Sequence, residues 1–176
     1  MAISSTINKA SINIADMDRH YYQSHDLTLA QHPSETDFRF MIRLIAFAAN
    51  ANEQLAFTKG LSSDDEPDLW AKALTNEIDL WIDLGQPDEK RIRKACGRAK
   101  QVIIYTYHDA KAKVWWDKQK ANLARFSNLA VFHIHADGVD ALMNRTMQLQ
   151  CTIQDGEMYL NDGEASINIT LDRLKT

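Results

Sequence analysis

The amino-acid sequence predicts a single domain of the α/β (α+β) class, built from a mixed β-sheet and few helices. Two observations indicate this class. Segments near both ends of the chain alternate polar and apolar residues with the period of two that half-buried strands show. The middle of the chain has a strand pattern, a helix pattern and a second strand pattern in succession, which is typical of two parallel strands joined by a crossover. No internal repeat or linker-like segment divides residues 1–176, so one domain is expected.

The chain is expected to begin with a hairpin. In the segment Lys9–Ile14 every second residue is apolar, as in a strand with one buried face. The turn-forming residues at 16–18 favour a reversal of the chain, and Tyr21–Ala30 is the predicted returning strand.

A buried helix is predicted after this hairpin. Pro33 ends the strand, Ser34 is the predicted N-cap, and Asp37 completes a weaker form of the capping box. The residues that follow are apolar around most of the helix, which indicates burial on nearly all sides. Glu35 falls in the first predicted turn, where its charge complements the helix dipole.

The central segment is expected to pair two strands. A loop at Gly60–Pro67 leads to a short strand at Asp68–Ala73, and a second strand follows at Glu77–Gly85. Strict alternation would place aliphatic residues, beginning with Ile78, on one face of the second strand. The other face would carry Trp81 and three acids, Glu77, Asp79 and Asp83.

The second half of the chain continues with helices and strands in alternation. Asp88–Lys100 has apolar residues at helical spacing with basic residues around them, and a continuous apolar strand begins at Gln101. The remaining predicted features are a helix at Lys113–Ala124, a strand at Leu129–Ile134, and hairpin turns at Asp155-Gly156 and Asp162-Gly163. Trp115 and Trp116 could stack on bases, but a helix that packs on a sheet favours them as core residues.

Composition narrows the class of function. The net charge of -4 opposes nucleic-acid binding through global positive charge, but the segment Lys90–Lys100 is locally basic. Two cysteines give no disulfide framework. The N-terminus has no signal architecture, and no window reaches the ~18 apolar residues of a membrane span. We therefore expect a soluble cytoplasmic protein without a membrane partner.

Two aspartates suggest a site for a hard divalent metal. Asp68 follows Pro67 at the start of one predicted strand, and Asp83 lies near the end of the next. Carboxylate oxygens from neighbouring strands are suitable ligands for Mg²⁺ or Mn²⁺. A nuclease also needs a cation near the attacked phosphate, and Lys90 or Lys94 of the following helix would supply it, because Gly85 stands where a lysine is expected. Without a metal, the same acids are the solvated face of a strand.

Other side chains offer weaker signals. Glu35 is either a helix-dipole partner or a further carboxylate near the metal. The acidic run Asp64-Asp65-Glu66 is either a solvated loop or part of the metal site. His133 and His135 form an H-x-H pair on one strand face, for which the sequence shows no third ligand nearby.

Several motifs together resemble one bacterial family. The segments HPSETDFRFM, KGLSSDDEPDLW, IDLWIDLGQPDEKRIRKA, FSNLAVF and RTMQLQCTIQDG, with the Trp115-Trp116 pair, occur in the order typical of the YaeQ family. The resemblance covers nearly the full chain. That family is similar in fold to the restriction-endonuclease-like, PD-(D/E)xK phosphodiesterases, which implies a central mixed sheet flanked by helices with antiparallel hairpins at both ends of the chain.

The resemblance implies roles for individual residues. The PD motif falls on Pro67-Asp68, and the (D/E)-x-K motif falls on Asp83-Leu84-Gly85. Glu35 would be the acid of the first helix, and Asp65 and Asp79 are competing choices for the first carboxylate. The absence of the motif lysine at Gly85 bears on catalysis more than on the fold.

Three functions follow as hypotheses. The first is a Mg²⁺- or Mn²⁺-dependent nuclease in which Asp68 (or Asp65) and Asp83 hold the metal and Lys94 or Lys90 acts at the phosphate. The second is a non-catalytic nucleic-acid-binding module with the same fold, and the third is a protein-interaction adaptor. The sequence leaves open whether the substrate is DNA or RNA, and which oligomeric state the chain adopts.

Overall fold

The computed structural model describes residues 4–59 and 65–175, which contain ten strands and three α-helices. The elements in chain order are β1 (Thr6–Asp16), β2 (Tyr21–Gln31), α1 (Asp37–Asn50), β3 (Leu55–Phe57), β4 (Leu69–Lys72), β5 (Ile78–Leu84), α2 (Glu89–Arg98), β6 (Ala99–Thr106), α3 (Asp109–Leu123), β7 (Leu129–His135), a 3-10 helix (Val139–Leu142), β8 (Thr146–Gln154), β9 (Glu157–Asn161) and β10 (Ser166–Lys175). The strand order is β2-β1-β8-β9-β10-β7-β6-β5-β4-β3. The predicted α+β class with a mixed sheet is confirmed, whereas the central sheet flanked by helices that the resemblance implied is not.

The chain divides into two compact units. The first comprises the chain up to residue 49 together with residues 135–171, and the second comprises residues 50–134 with 172–176. No helix in the described ranges combines the length and the apolar character that crossing a membrane requires.

The first unit contains the predicted hairpins at both ends of the chain. β1 pairs antiparallel with β2 and parallel with β8, and β9 pairs antiparallel with both β8 and β10. The turn at Asp155-Gly156 has positive φ at both residues, 54° and 77°, as a two-residue type I′ turn requires. These hairpins confirm the predictions made from alternation and from the Asp-Gly turns.

Helix α1 begins later than its sequence pattern predicts. The Thr36 hydroxyl oxygen accepts the backbone N–H of Arg39 at 3.1 Å, which is the geometry of an N-cap. The Ser34 hydroxyl instead bonds to the ring Nδ1 of His32 at 2.6 Å. The predicted Ser34 cap is therefore wrong, and Glu35 precedes the helix rather than lying in its first turn. The predicted burial is confirmed, since every residue from Phe40 to Ala48 is buried.

The second unit combines an antiparallel and a parallel part. β3, β4 and β5 pair antiparallel, whereas β5, β6 and β7 pair parallel, which confirms the predicted strand–helix–strand crossover through α2. One buried cluster joins α2, α3 and the sheet, and it includes Trp81, Ile92, Ile104 and Trp115. Trp115 is therefore a core residue, as predicted, and Trp116 is partly buried and packs against the same cluster.

A β-bulge interrupts the alternation of β5. Ala71 pairs with Leu80 and Lys72 pairs with Ile78, so Asp79 is an extra residue on β5. Because the bulge reverses the side-chain direction, Ile78 lies in the same buried cluster as Trp81. The prediction that Ile78 and Trp81 occupy opposite faces is wrong for this reason.

Three boundaries also differ from prediction. Asp88 is the N-cap of α2, but the helix ends at Arg98, and Ala99 already pairs with Ile78 as the first residue of β6. Lys100 therefore lies in a strand and not in the helix. Helix α3 begins four residues before the predicted start, and the short strand β3 had no sequence signal.

Candidate functional site

Asp83 is the buried charge at the end of β5. It is 2% exposed, and its two carboxylate oxygens accept bonds from one guanidinium, with Arg91 Nε at 2.9 Å from Oδ2 and Nη2 at 3.0 Å from Oδ1. The indole N–H of Trp81 donates to Oδ2 at 3.0 Å. Bidentate, charge-assisted bonds of this kind are the strong ones in proteins. Asp83 is thus fixed in orientation.

Arg91 is the site residue that sequence reasoning missed. It lies in the first turn of α2, and its Nη2 also donates to the carbonyl oxygen of Glu66 at 2.8 Å. The side chain remains 26% exposed, so the guanidinium faces solvent on one side. Its position in the sequence could have identified it, because Arg91 lies four residues before the buried Ala95 and therefore on the buried side of the helix.

Asp68 lies directly before β4 and beside the backbone of β5. Its Oδ2 accepts the N–H of Leu84 at 2.9 Å, and its own N–H donates to the carbonyl of Ile82 at 3.0 Å. The residue is 7% exposed. The two aspartates predicted from the sequence are therefore carried by adjacent strands, with the Asp68 carboxylate bonded to the residue that follows Asp83.

The two predicted lysines lie on the outer side of α2. Lys94 Nζ is 3.1 Å from Asp65 Oδ1, and both side chains are largely exposed. Lys90, Arg91 and Lys94 line a cavity of about 330 Å³ together with Asp88. The cation beside Asp83 is thus Arg91, whereas the lysines give the adjoining cavity its positive charge.

Two further predicted acids have their own partners. Asp79, the bulge residue, is 3.1 Å from Lys100 Nζ, and Glu77 is 3.4 Å from the same atom. The hydrogen bonds that the Lys100 ammonium donates to Asp79 and Glu77 raise the pKa of Lys100. Asp65 contacts Lys94 through its side chain and Arg98 Nη1 through its carbonyl oxygen at 2.7 Å. Asp64 lies outside the described residues.

Glu35 belongs to the first unit and is held by two arginines of α1. Arg39 Nη1 is 2.8 Å from Oε2, and Arg43 Nη2 is 2.7 Å from Oε1 and also donates to the carbonyl of Ala30. The Glu35 side chain is 2% exposed and that of Arg43 is 4% exposed. Both oxygens of Glu35 thus accept bonds within the core of this unit.

The histidine pair has a third potential ligand after all. Within residues 4–59 and 65–175, one group of three potential metal ligands comes together, namely Asp109, His133 and His135, whose ligand atoms lie within 4.8 Å of one another. His133 Nε2 is 2.8 Å from Asp109 Oδ1, and its Nδ1 is 2.7 Å from the Thr106 hydroxyl. The strand topology could have predicted this contact, because β6 and β7 are parallel neighbours and Asp109 follows the end of β6.

Gly85, which directly follows β5, has a turned backbone. Its φ is +99°, in the region that L-residues with side chains rarely adopt. Its N–H donates to the carbonyl of Tyr105 at 2.8 Å, so pairing with β6 extends to this residue before the chain turns away.

The assignment to a family rests on similarity over nearly the whole chain. A family model described as YaeQ protein matches residues 1–171, and the chain belongs to this family. The YaeQ protein of Escherichia coli strain K12 is 45% identical over 174 residues, which span 97% of this chain and 96% of the relative. The relative from Salmonella typhi is 45% identical over 175 residues with the same coverage.

Two crystal structures show the same fold. The YaeQ protein from Xanthomonas axonopodis pv. citri is 44% identical, with a TM-score of 0.95 over 98% of this chain and 99% of that chain. The YaeQ protein from Pseudomonas syringae is 34% identical, with a TM-score of 0.92 over 98% of this chain and 97% of that chain.

Proposed function

We propose that this chain is a Mg²⁺-dependent nuclease of the PD-(D/E)xK class, with a restriction-endonuclease-like fold, that acts on nucleic-acid phosphodiesters. The observation that carries the proposal is the Asp83–Arg91 pair, which stands beside Asp68 and borders a cavity lined by Lys90 and Lys94.

The donor set suits a hard divalent cation. Mg²⁺ takes oxygen ligands and is usually bound through one or two carboxylates, with water completing its shell. Asp68 and Asp83 would supply these carboxylates, and the carbonyl of Leu84 would be a third oxygen. When bound, the metal would lower the pKa of a coordinated water and offset negative charge at the phosphate.

Arg91 replaces the lysine of the motif in this proposal. A guanidinium remains charged throughout the physiological pH range and presents several N–H donors in a plane, which suits both a carboxylate and a phosphate. Arg91 would orient Asp83 and stabilise charge on the scissile phosphate, while Lys90 and Lys94 would bind neighbouring phosphates. Binding should therefore weaken steeply with salt.

The test is cleavage by variants that each differ from the wild type at one named side chain. Single-stranded, duplex and structured DNA and RNA are incubated with Mg²⁺ or Mn²⁺. Asp83→Asn and Arg91→Gln are each expected to lower the rate by about 10²-fold or more, the usual cost of removing one electrostatic contact to the transition state. Asp79→Asn is the matched control, because this acid lies on the same strand but is paired with Lys100. Circular dichroism verifies folding. Absence of cleavage by the wild type across the panel, or equal rates for Asp83→Asn and Asp79→Asn, contradicts the proposal.

One observation favours a second function, nucleic-acid binding without cleavage. Both oxygens of Asp83 already accept bonds from Arg91, and a metal would have to share them. Such a module would bind nucleic acid equally well with Mg²⁺ and with EDTA, would cleave nothing, and would lose binding in Arg91→Gln. Fluorescence anisotropy with and without EDTA, measured beside the cleavage assay, separates the two functions.

A further inference from the structure

Helix α3 presents an open, mainly apolar groove. Its volume is about 500 Å³, and it is lined by Gln86, Ala110, Lys111, Val114, Trp115 and Lys118. The α3 residues recur at helical spacing, so they form one face of the helix. Val114 in this face is 56% exposed, although it is a large apolar side chain. Volumes in this range are typical of sites for small organic groups.

The groove adjoins the cationic cavity beside Asp83. Gln86 lines the groove and Asp88 lines the cavity, and these residues are two apart in the chain, which limits their separation to about 7 Å. The segment between them is fixed to α3, since the indole N–H of Trp115 donates to the carbonyl of Pro87 at 2.7 Å. Gln86 is fixed by its side-chain bond to the carbonyl of Tyr107 at 3.1 Å. The apolar groove and the cationic cavity are therefore held at a fixed distance from each other.

The charge around the groove is positive. Lys111 and Lys118 stand one on each side of Val114 along the helix face. Asp117, in the middle of α3, is directed away from the groove, because it pairs with Lys113 at 2.9 Å and with Lys120 at 3.7 Å. An apolar floor between two lysines suits a flat apolar group that belongs to an anionic chain.

We propose that this groove receives an unpaired base of a single-stranded nucleic acid whose adjacent phosphate lies in the cavity lined by Lys90, Arg91 and Lys94. This inference rests on the proposed function and specifies its substrate as single-stranded. A base within a duplex is paired and stacked on both faces, so it cannot enter a groove between side chains. Apolar and stacking contacts to bases tolerate any sequence, so no sequence preference is expected.

The test measures binding in EDTA, where cleavage cannot contribute. The probes are a fluorescein-labelled oligothymidylate of about 12 nucleotides, within the site sizes of single-strand binders, an abasic chain of the same length, and a duplex of the same length. The wild type is expected to bind the oligothymidylate at least about fivefold more tightly than the abasic chain, the smallest effect expected of one base contact. The duplex should bind more weakly than the oligothymidylate.

The variant Val114→Asp identifies the groove as the source of this preference. A new negative charge weakens binding of both single-stranded probes, but only loss of the base contact removes the preference for the oligothymidylate over the abasic chain. Leu74→Asp is the control, because Leu74 is fully exposed in the turn between β4 and β5 and the change is the same. It should leave the preference unchanged.

The outcomes separate this inference from the proposed nuclease. Equal binding of the oligothymidylate and the abasic chain by the wild type, an unchanged preference in Val114→Asp, or absence of binding to any probe would overturn the groove assignment. Base-dependent binding in a protein that never cleaves would leave the groove in place and remove the nuclease. Cleavage without base-dependent binding would support the nuclease and overturn the groove assignment.

Discussion

Glu35 and Asp83 are both buried carboxylates held by arginine side chains, yet their surroundings differ. Glu35 contacts Arg39 and Arg43 of its own helix, and the side chains of Glu35 and Arg43 are only 2% and 4% exposed. Asp83 contacts Arg91, which is 26% exposed and borders a cavity with two lysines. The same ion-pair chemistry is thus sealed in one unit and open to solvent in the other.

The difference shows why burial of a charge does not by itself identify a site. A sealed pair has no access for a ligand, so its role is to satisfy charges that folding has desolvated. An open pair keeps one partner where a phosphate could reach it. Of these two acids, both of which the family resemblance places near catalysis, Asp83 therefore has the setting of a functional residue, and Glu35 has the setting of a structural one.

The largest expected effect is on stability when Glu35 is neutralised. Glu35→Gln leaves Arg39 and the buried Arg43 without a carboxylate, and breaking a buried pair in this way costs about 3–5 kcal/mol. Urea unfolding followed by circular dichroism measures the loss. Glu53→Gln, at an exposed acid, is the control. A loss below about 1 kcal/mol would show that the pair is not sealed, since exposed pairs contribute no more than that.

Asp83→Asn should cost less stability, about 2 kcal/mol. The change weakens hydrogen bonds to a charged group, but Arg91 can recover water because it is partly exposed. The same urea titration compares both variants. If Asp83→Asn destabilises the protein as much as Glu35→Gln, the distinction between an open and a sealed pair does not hold.

A smaller effect concerns the two thiols, one in each unit. Burial raises the pKa of Cys151 in the first unit to about 12, and burial raises that of Cys96 in α2 to about 11. A thiol that keeps its proton when folded but loses it near its ordinary pKa of 9.0 when unfolded makes the folded state less stable as pH rises above that value.

The free energy of unfolding should therefore change measurably with pH. Between about pH 8 and about pH 10, the free energy of unfolding of the wild type should fall by about 1.4 kcal/mol more than that of Cys151→Ala, because one unit of pH above the unfolded pKa corresponds to that energy. Denaturant titrations at the two pH values give the difference. Parallel slopes for the two proteins would mean that Cys151 ionises in the folded state, contrary to a sealed interior.

Much of the fold was predictable because local chemistry and tertiary structure agree. The strands β1 and β2, the Asp-Gly turns and the crossover through α2 follow directly from alternation and turn residues. The start of α1 did not follow, because Ser34 and Thr36 are both competent caps and the contact of Ser34 with His32 decides between them. The bulge at Asp79 leaves no local signal, since it depends on the register with β4.

The candidate site was predictable in part. Adjacent strands carry Asp68 and Asp83, as their spacing indicated, and the basic character of α2 was visible in its composition. The choice of Arg91 over Lys90 and Lys94 depends on the rotation of α2 about its axis, which the buried Ile92 and Ala95 set. Asp109 is 24 residues from His133, and only the parallel pairing of β6 with β7 brings them together.

The turned backbone at Gly85 constrains how this site could change by mutation. With φ at +99°, any side chain at this position adds backbone strain of about 1–3 kcal/mol, even though the nearest atom to a new Cβ, the Tyr107 hydroxyl, is 4.0 Å away. A single Gly85→Lys substitution would thus place a lysine at the end of β5 only by straining or reshaping the backbone there. A cation beside Asp83 is compatible with this turn when it comes from α2, as Arg91 does, because the glycine backbone then stays unchanged.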